Sequence, residues 1–380
     1  METAHVNSVA AQVANELQSS AAQNDRDARF SVEAVEALGA AGLLGLLVPR
    51  DLGGAGLGPQ ALGAVTTQLA GADASVAMVF LMHSLATCVM AAAPRTMGVR
   101  AVLEDVAAGH HLSTLAFSEA GSRSHFWAPV SRGVIDNGGV RLTATKSWVT
   151  SAGHAQSYVV SSLSPNAAGP TDSTLYLVPA DSPGLTVSGR WEGMGLRANA
   201  SAPMLVQDCY VPADLRLTGE GAGFTAMLQT VLPLFNLGST AVSLGICRAA
   251  VAATIQHLKA ARFEHLGVSL GESLPNLRAQ LAEMQIETDG LACRLNDLVA
   301  HLEQPGDATM LRVLESKAAA GEAAIKVTSL AMRTCGGAAF SRHSSIERLF
   351  RDAHAGAVMA PTGDVLREFI GKALLGIPLF

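Results

Sequence analysis

Two long stretches of this chain, Ala74 to Pro94 and Gly221 to Cys247, contain no Asp, Glu, Lys or Arg. Each is long enough to cross a bilayer as a helix. Polar residues interrupt both, however: His83, Ser84 and Thr87 in the first, and Gln229, Asn236, Ser239 and Thr240 in the second, which Pro233 also breaks. Neither has the asymmetric Lys/Arg flanks that orient a membrane span. The expectation is therefore two helices covered on all sides inside a large protein, with no membrane span.

Composition supports a large interior. Of 380 residues, 49% are hydrophobic and only 15% charged, so few charges remain to coat a surface, and subunit contacts are expected. The net charge of −6 comes with no basic patch for nucleic acid and no lysine cluster for an anionic membrane. The N-terminus has neither a basic n-region nor an apolar h-region, which reads as a mature cytoplasmic protein. Cys88, Cys209, Cys247, Cys293 and Cys335 are far apart and form no Cys-x-x-Cys pair. Buried free thiols are expected, with no disulfide framework and no metal site.

Three segments follow from the local patterns. Residues 1–112 read as helices, with Ser31 as N-cap before Val32–Leu38 and a glycine-rich turn at Leu52–Gly58. That turn lacks the Gly-x-Gly-x-x-Gly spacing of a phosphate loop. Residues 113–218 read as a compact antiparallel β-barrel or sandwich. Val140–Lys146 alternates, Asp136-Asn137-Gly138-Gly139 is a hairpin signal, and short β-rich runs lie at 158–162, 173–178, 185–187 and 204–206. Residues 219–380 return to helices, broken near Pro275, Pro305 and Gly336-Gly337, and the apolar C-terminus is expected to dock. The fold class is α+β and multi-domain: an N-terminal helical domain, a middle β domain and a C-terminal helical bundle.

Six motifs occur in order. They are Ala41–Pro49 with Gly53, Gly54 and Gly56; Ser118-Glu119-Ala120-Gly121-Ser122; Lys146–Gly153 around Trp148-Val149-Thr150; Gly193–Arg197; Val211-Pro212; and Gly219–Phe224. Together with Ile346–Ala353, they resemble the acyl-CoA dehydrogenase superfamily over nearly the whole chain. The resemblance implies FAD as cofactor. Ser118 would bond the flavin pyrimidine edge, Trp148 would cover the ring system, and the Thr150 hydroxyl would lie near N5. Thr362 would also serve the cofactor. Arg262, Arg333 and the Gly336-Gly337 pair would hold the pyrophosphate, where glycine permits close approach. Arg333 replaces the family's glutamine there, and the motif around Arg262 departs from family spacing. Ser122, Arg123, Phe235 and Asn236 would face the substrate. The family assembles as a tetramer; the apolar helices fit that, and fit a dimer equally.

One family feature is missing. Where a glutamate takes a proton from the carbon alpha to a thioester, this chain has Ala360, followed by Pro361 and Thr362. The alternative family position, on a central helix, corresponds to Leu232–Asn236, and no Asp or Glu occurs between Glu220 and Glu264. Three functions remain open. The first is oxidation of an acyl thioester with a substitute base, Asp364 or His83. Asp364 reads equally as a helix-capping or surface carboxylate, and His83 as a core histidine. The second is a flavin monooxygenase working through a C4a hydroperoxide, which needs a dry pocket and no alpha-carbon base. There Ser122–Trp127 would line the substrate side, with His125 as proton donor. The third is a non-catalytic partner subunit, disfavoured by the retention of Trp148 and Thr150.

Overall fold

The computed structural model describes residues 3–123 and 125–379; Met1, Glu2, Ser124 and Phe380 lie outside the description. Five helices come first: α1 (Thr3–Asp27), α2 (Val32–Ala40), α3 (Pro59–Ala72), α4 (Ala74–Ala92) and α5 (Met97–Ala107). Ser31 caps α2, its hydroxyl accepting the Ala34 N–H at 3.3 Å. Asp73 caps α4 by accepting from Ser75 and Val76 N–H at 2.9 and 3.2 Å. The charge-free stretch 74–92 is an almost wholly buried helix within the protein. The glycine-rich turn spends its amides on itself: Gly54 and Gly56 N–H donate to the Pro49 and Val48 carbonyls. A Cβ at Gly54 would sit 2.2 Å from the Val48 oxygen, which explains the glycine without a phosphate.

The middle segment forms two sheets. One, in the order β1 (Ser113–Ala116), β4 (Ser157–Leu163), β5 (Ser173–Pro179), is buried on both faces; the other runs β2 (Val134–Asp136), β3 (Gly139–Val149), β7 (Ala202–Pro212), β6 (Leu185–Val187). The β2–β3 hairpin turns at Asn137 and Gly138, with φ of 42° and 81°. The expectation of an all-antiparallel domain is corrected at one place, since β1 and β4 pair in parallel. The chain between them makes the hairpin of the other sheet before returning, and such a crossover leaves no local signature.

Beyond Gly219 come a short helix α6 (Gly223–Ala226), a π-helical turn (Met227–Val231) and α7 (Leu232–Ala260). Pro233 does not end the helix as the sequence suggested. It has no N–H to give, and the ladder widens just ahead of it before continuing. A small hairpin, β8 (Arg262–Phe263) and β9 (Val268–Ser269), leads into α8 (Leu270–Ser273), α9 (Pro275–Glu303), α10 (Thr309–Cys335), α11 (Ser345–Ala353), α12 (Ala355–Val358) and α13 (Gly363–Leu374). α7, α9 and α10 form the bundle, and α3 packs on α7, so one hydrophobic core runs through all three segments.

Polar contacts fasten the segments together. Arg351 of α11 grips Asp25 of α1 with two hydrogen bonds of 3.0 and 2.6 Å, and donates to the Met194 carbonyl at 2.9 Å. Leu196 N–H donates to the buried Asp352 carboxylate at 2.7 Å. Two expectations need adjusting. Cys293 is exposed and Cys88 half-buried, although Cys209, Cys247 and Cys335 are buried thiols. The apolar C-terminus docks only in part: Leu374 and Leu375 point outward, while Leu379 packs against the core.

Candidate active site

The site begins at β3. Its apolar alternation puts Val140, Leu142 and Ala144 toward the interior, and the same period carries Lys146 in with them. A buried ammonium needs a partner. Lys146 Nζ donates to Glu119 Oε1 and to the Ser161 carbonyl, both at 2.6 Å. The Glu119 carboxylate also accepts from Val130 and Ser131 N–H at 2.8 and 2.9 Å and from the Ser131 hydroxyl at 2.6 Å. Burial opposes ionisation of Glu119, yet the Lys146 charge and these donors hold its carboxyl below the usual range. Burial likewise draws Lys146 down against the pull of Glu119.

This pair fixes Ser118 beside Trp148. Ser147 N–H donates to the Ser118 carbonyl at 2.8 Å, one residue from each. Between Lys146 and Val149 the register against β7 slips, so β3 carries one extra residue there. That bulge sets Trp148 at φ 55° and leaves its indole 66% exposed, touching Trp191 edge-on at 5.6 Å. A non-glycine residue in the left-handed region, holding a large apolar ring in the open, is a costly arrangement that suits covering a ligand. Thr150, by contrast, is buried and shares a 3.1 Å hydrogen bond with Ser201.

A groove of about 480 Å³ lies between the 125–127 loop and α13. His125, Trp127, Asp364, Glu368, Phe369 and Lys372 line it. Trp127 is the hinge of an aromatic wall, stacked on His125 at 5.0 Å, edge-on to Phe126 at 5.2 Å and tilted on Phe369 at 5.7 Å. Two residues expected from sequence as catalytic, His125 and Asp364, thus share one cleft. Asp364 lies in the first turn of α13, almost fully exposed, with Arg367 at 3.4 Å. A second cleft of about 530 Å³ lies beside Trp191, lined by Phe30, His154, Arg190 and Arg197.

Several expected residues are placed elsewhere. His83 is fully buried; its Nε2 lies 3.0 Å from the Leu44 carbonyl, and its Nδ1 accepts the Ser113 N–H at 3.0 Å. Both ring nitrogens are committed, and burial pushes the imidazole down to about 4, so His83 ties α4 to β1 and is not available as a base. The Ser122 hydroxyl closes a turn on Glu119, donating to its carbonyl at 3.1 Å and accepting its N–H at 3.3 Å. Arg123 is exposed at φ 49°. Asn236 is fully buried and donates to the Val313 carbonyl at 3.0 Å, which joins α7 to α10 rather than lining a cleft. Phe235 lies under the ammonium of Lys317, 5.7 Å from its ring centre.

Arg262, Arg333, Gly336 and Gly337 are exposed on the helical segment. Among the described residues none of them makes a hydrogen bond or ion pair to the β segment. Arg262 donates only within its own hairpin, to the Gly267 carbonyl at 3.2 Å. Gly336 has φ 56°, and a Cβ on either glycine would meet nothing within 4 Å. Sequence reasoning missed Lys317, a buried lysine in the N-terminal third of α10; its signal is a charge on the apolar stripe Val313, Leu314, Ala320, Ala324.

The fold and this arrangement define a flavin-dependent oxidoreductase class. The sequence matches the acyl-CoA dehydrogenase N-terminal domain over residues 2–109, the middle domain over 114–209 and the C-terminal domain over 221–375. The chain belongs to the acyl-CoA dehydrogenase family. It is 28% identical to the mitochondrial short-chain specific acyl-CoA dehydrogenase of Bos taurus over 356 residues, covering 93% of this chain and 85% of that protein. Its fold matches butyryl-CoA dehydrogenase from Megasphaera elsdenii with a TM-score of 0.91 at 22% identity, over 98% of both chains. It also matches PigA solved with FAD and proline, with a TM-score of 0.90 at 18% identity, over 99% of this chain and 97% of that one.

Proposed function

We propose that this protein binds FAD and oxidises an acyl thioester, with Asp364 in the role of the family's glutamate. The observation that carries the reading is a groove lined by Asp364, four residues after Ala360 in the chain, together with His125. The residues present fit the cofactor. The indole of Trp148 stands uncovered on a bulge, and Gly336 and Gly337 leave open space where a pyrophosphate can approach. Similarity to PigA, solved with FAD, supports the same choice. When bound, FAD supplies the acceptor for two electrons.

This chain's own groups do the rest. Trp148 covers the ring system, and Ser118, Thr150 and Thr362 offer hydroxyls to it. Asp364 takes the proton from the carbon alpha to the thioester. Trp127 and Phe369 offer apolar ring surface in the same groove. Arg262, Arg333 and the glycine pair serve the pyrophosphate of a second copy, so the protein works as a homo-oligomer; exposed Ile286, Phe340 and Leu375 supply apolar surface for that contact.

A second reading, a monooxygenase, draws on a specific observation. Residues 359–361 hold no carboxylate, and neither does the start of α7. Anaerobic mixing of the FAD-loaded protein with a series of acyl-CoA thioesters from butyryl upward separates the two. Bleaching of the flavin absorbance supports dehydrogenation. No bleaching with any chain length, together with substrate-dependent oxygen uptake by the reduced protein, overturns it in favour of oxygenation. A protein that neither carries nor takes up flavin overturns both.

A further inference from the structure

Lys317 lies in the N-terminal third of α10 and is 1% exposed. Buried lysines ordinarily sit against a carboxylate, but this one makes no ion pair among the described residues. Its ammonium instead donates to three main-chain carbonyls: Pro361 at 2.7 Å, Met359 at 2.9 Å and Gly356 at 3.3 Å. The ring of Phe235 covers it from α7 at 5.7 Å. All three acceptors lie within residues 356–361, the end of α12 and the turn after it, and that stretch contains Ala360, the position of the family's glutamate.

Close backbone packing also supports this stretch. A Cβ on Gly321, one turn along α10, would lie 3.2 Å from Ala357 N, and one on Gly356 would lie 3.3 Å from the Ser243 hydroxyl of α7. Helices α7 and α10 therefore approach the 356–361 backbone at glycine distance, with Lys317 as the polar fastening. Pro361 has no N–H, so its carbonyl is the main-chain hydrogen-bonding group of that residue, and Lys317 takes it. Thr362 and Asp364 follow at once, as the N-cap and first turn of α13.

We propose that Lys317 is a positioning residue that fixes the Gly356–Pro361 turn and thereby aims the start of α13, with Thr362 and Asp364, at the groove. Removing the fastening frees the turn without touching the groove wall of His125 and Trp127. For catalysis this rests on the thioester reading above; for the geometry of the turn it does not.

The test uses the full-length protein and two variants, Lys317→Met and Lys317→Gln, the second retaining two N–H donors. Hydrogen exchange read by mass spectrometry reports the turn without any substrate. In Lys317→Met, exchange across residues 356–366 is expected to rise about tenfold or more, with the β sheets and α1–α5 unchanged. Lys317→Gln is expected to restore part of the protection. With butyryl-CoA as probe, Lys317→Met is expected to lower kcat about tenfold with KM changed less than twofold, because binding surfaces remain and only alignment is lost. Unchanged exchange at 356–366 in Lys317→Met overturns the proposal. So does an equal loss of protection across α7, α10 and the turn in both variants. If no acyl-CoA is turned over by the unmodified protein, the thioester reading fails while the exchange result still decides the role of Lys317.

Discussion

Glu119 and Lys146 meet at 2.6 Å with both side chains fully buried, one residue after Ser118 and two before Trp148. The pair is the anchor from which the candidate flavin-facing residues are hung. A lone charge left in that place is far costlier than the pair itself.

Glu119→Gln or Lys146→Met is therefore expected to destabilise the protein by about 3–5 kcal/mol. The double variant should recover part of the loss, because it strands no charge. Urea denaturation of the single and double variants measures this, and additive losses in the double variant would contradict it.

Trp148 is expected to matter for cofactor and hardly at all for folding. Trp148→Ala removes an exposed ring, so stability should change by about 0.5 kcal/mol or less. FAD affinity should fall about tenfold, equivalent to about 1.4 kcal/mol. Flavin retained after gel filtration, compared at matched protein concentration, reads the effect.

Asp364→Asn keeps the shape of the groove and removes the carboxylate. If Asp364 takes the proton, the rate of flavin bleaching by acyl-CoA should fall about 10²- to 10⁴-fold, with bound FAD unchanged. An unchanged rate removes Asp364 from the reaction.

His83 gives a prediction in pH. Burial holds its imidazole down to about 4, below the ordinary value of 6.5. Between pH 4 and 6.5 the unfolded chain binds the proton and the native protein does not. The contribution is present above pH 6.5 and lost as pH falls toward 4, at most about 3 kcal/mol. Burial raises Asp352 to about 7, which acts in the opposite direction. The difference in stability between the unmodified protein and His83→Gln, followed from pH 7 to 4, isolates the histidine; the gap should narrow with acid.

Much of this architecture can be read from residue order. Asn137-Gly138 predicts its hairpin because few residues accept positive φ at both turn positions, and Ser31 predicts a helix start because its hydroxyl has an orphan amide to satisfy. The candidate site is less legible. Lys146 follows an alternating strand inward against its own polarity, and only its pairing with Glu119, 27 residues earlier, makes that possible. His83 looks like chemistry in sequence, yet Leu44 and Ser113 consume both nitrogens, and those partners are remote along the chain. The β1–β4 parallel pair and the role of Lys317 are likewise long-range, so no local pattern announces them.

The grip of Arg351 on Asp25, together with the Leu196–Asp352 bond, ties the first helix, the β segment and the last helices to one another. Such a body does not open like a clamshell. With those three regions latched at buried carboxylates, a change at one of them is felt at the others, and loosening Asp25 or Asp352 would free the first helix and the last ones together.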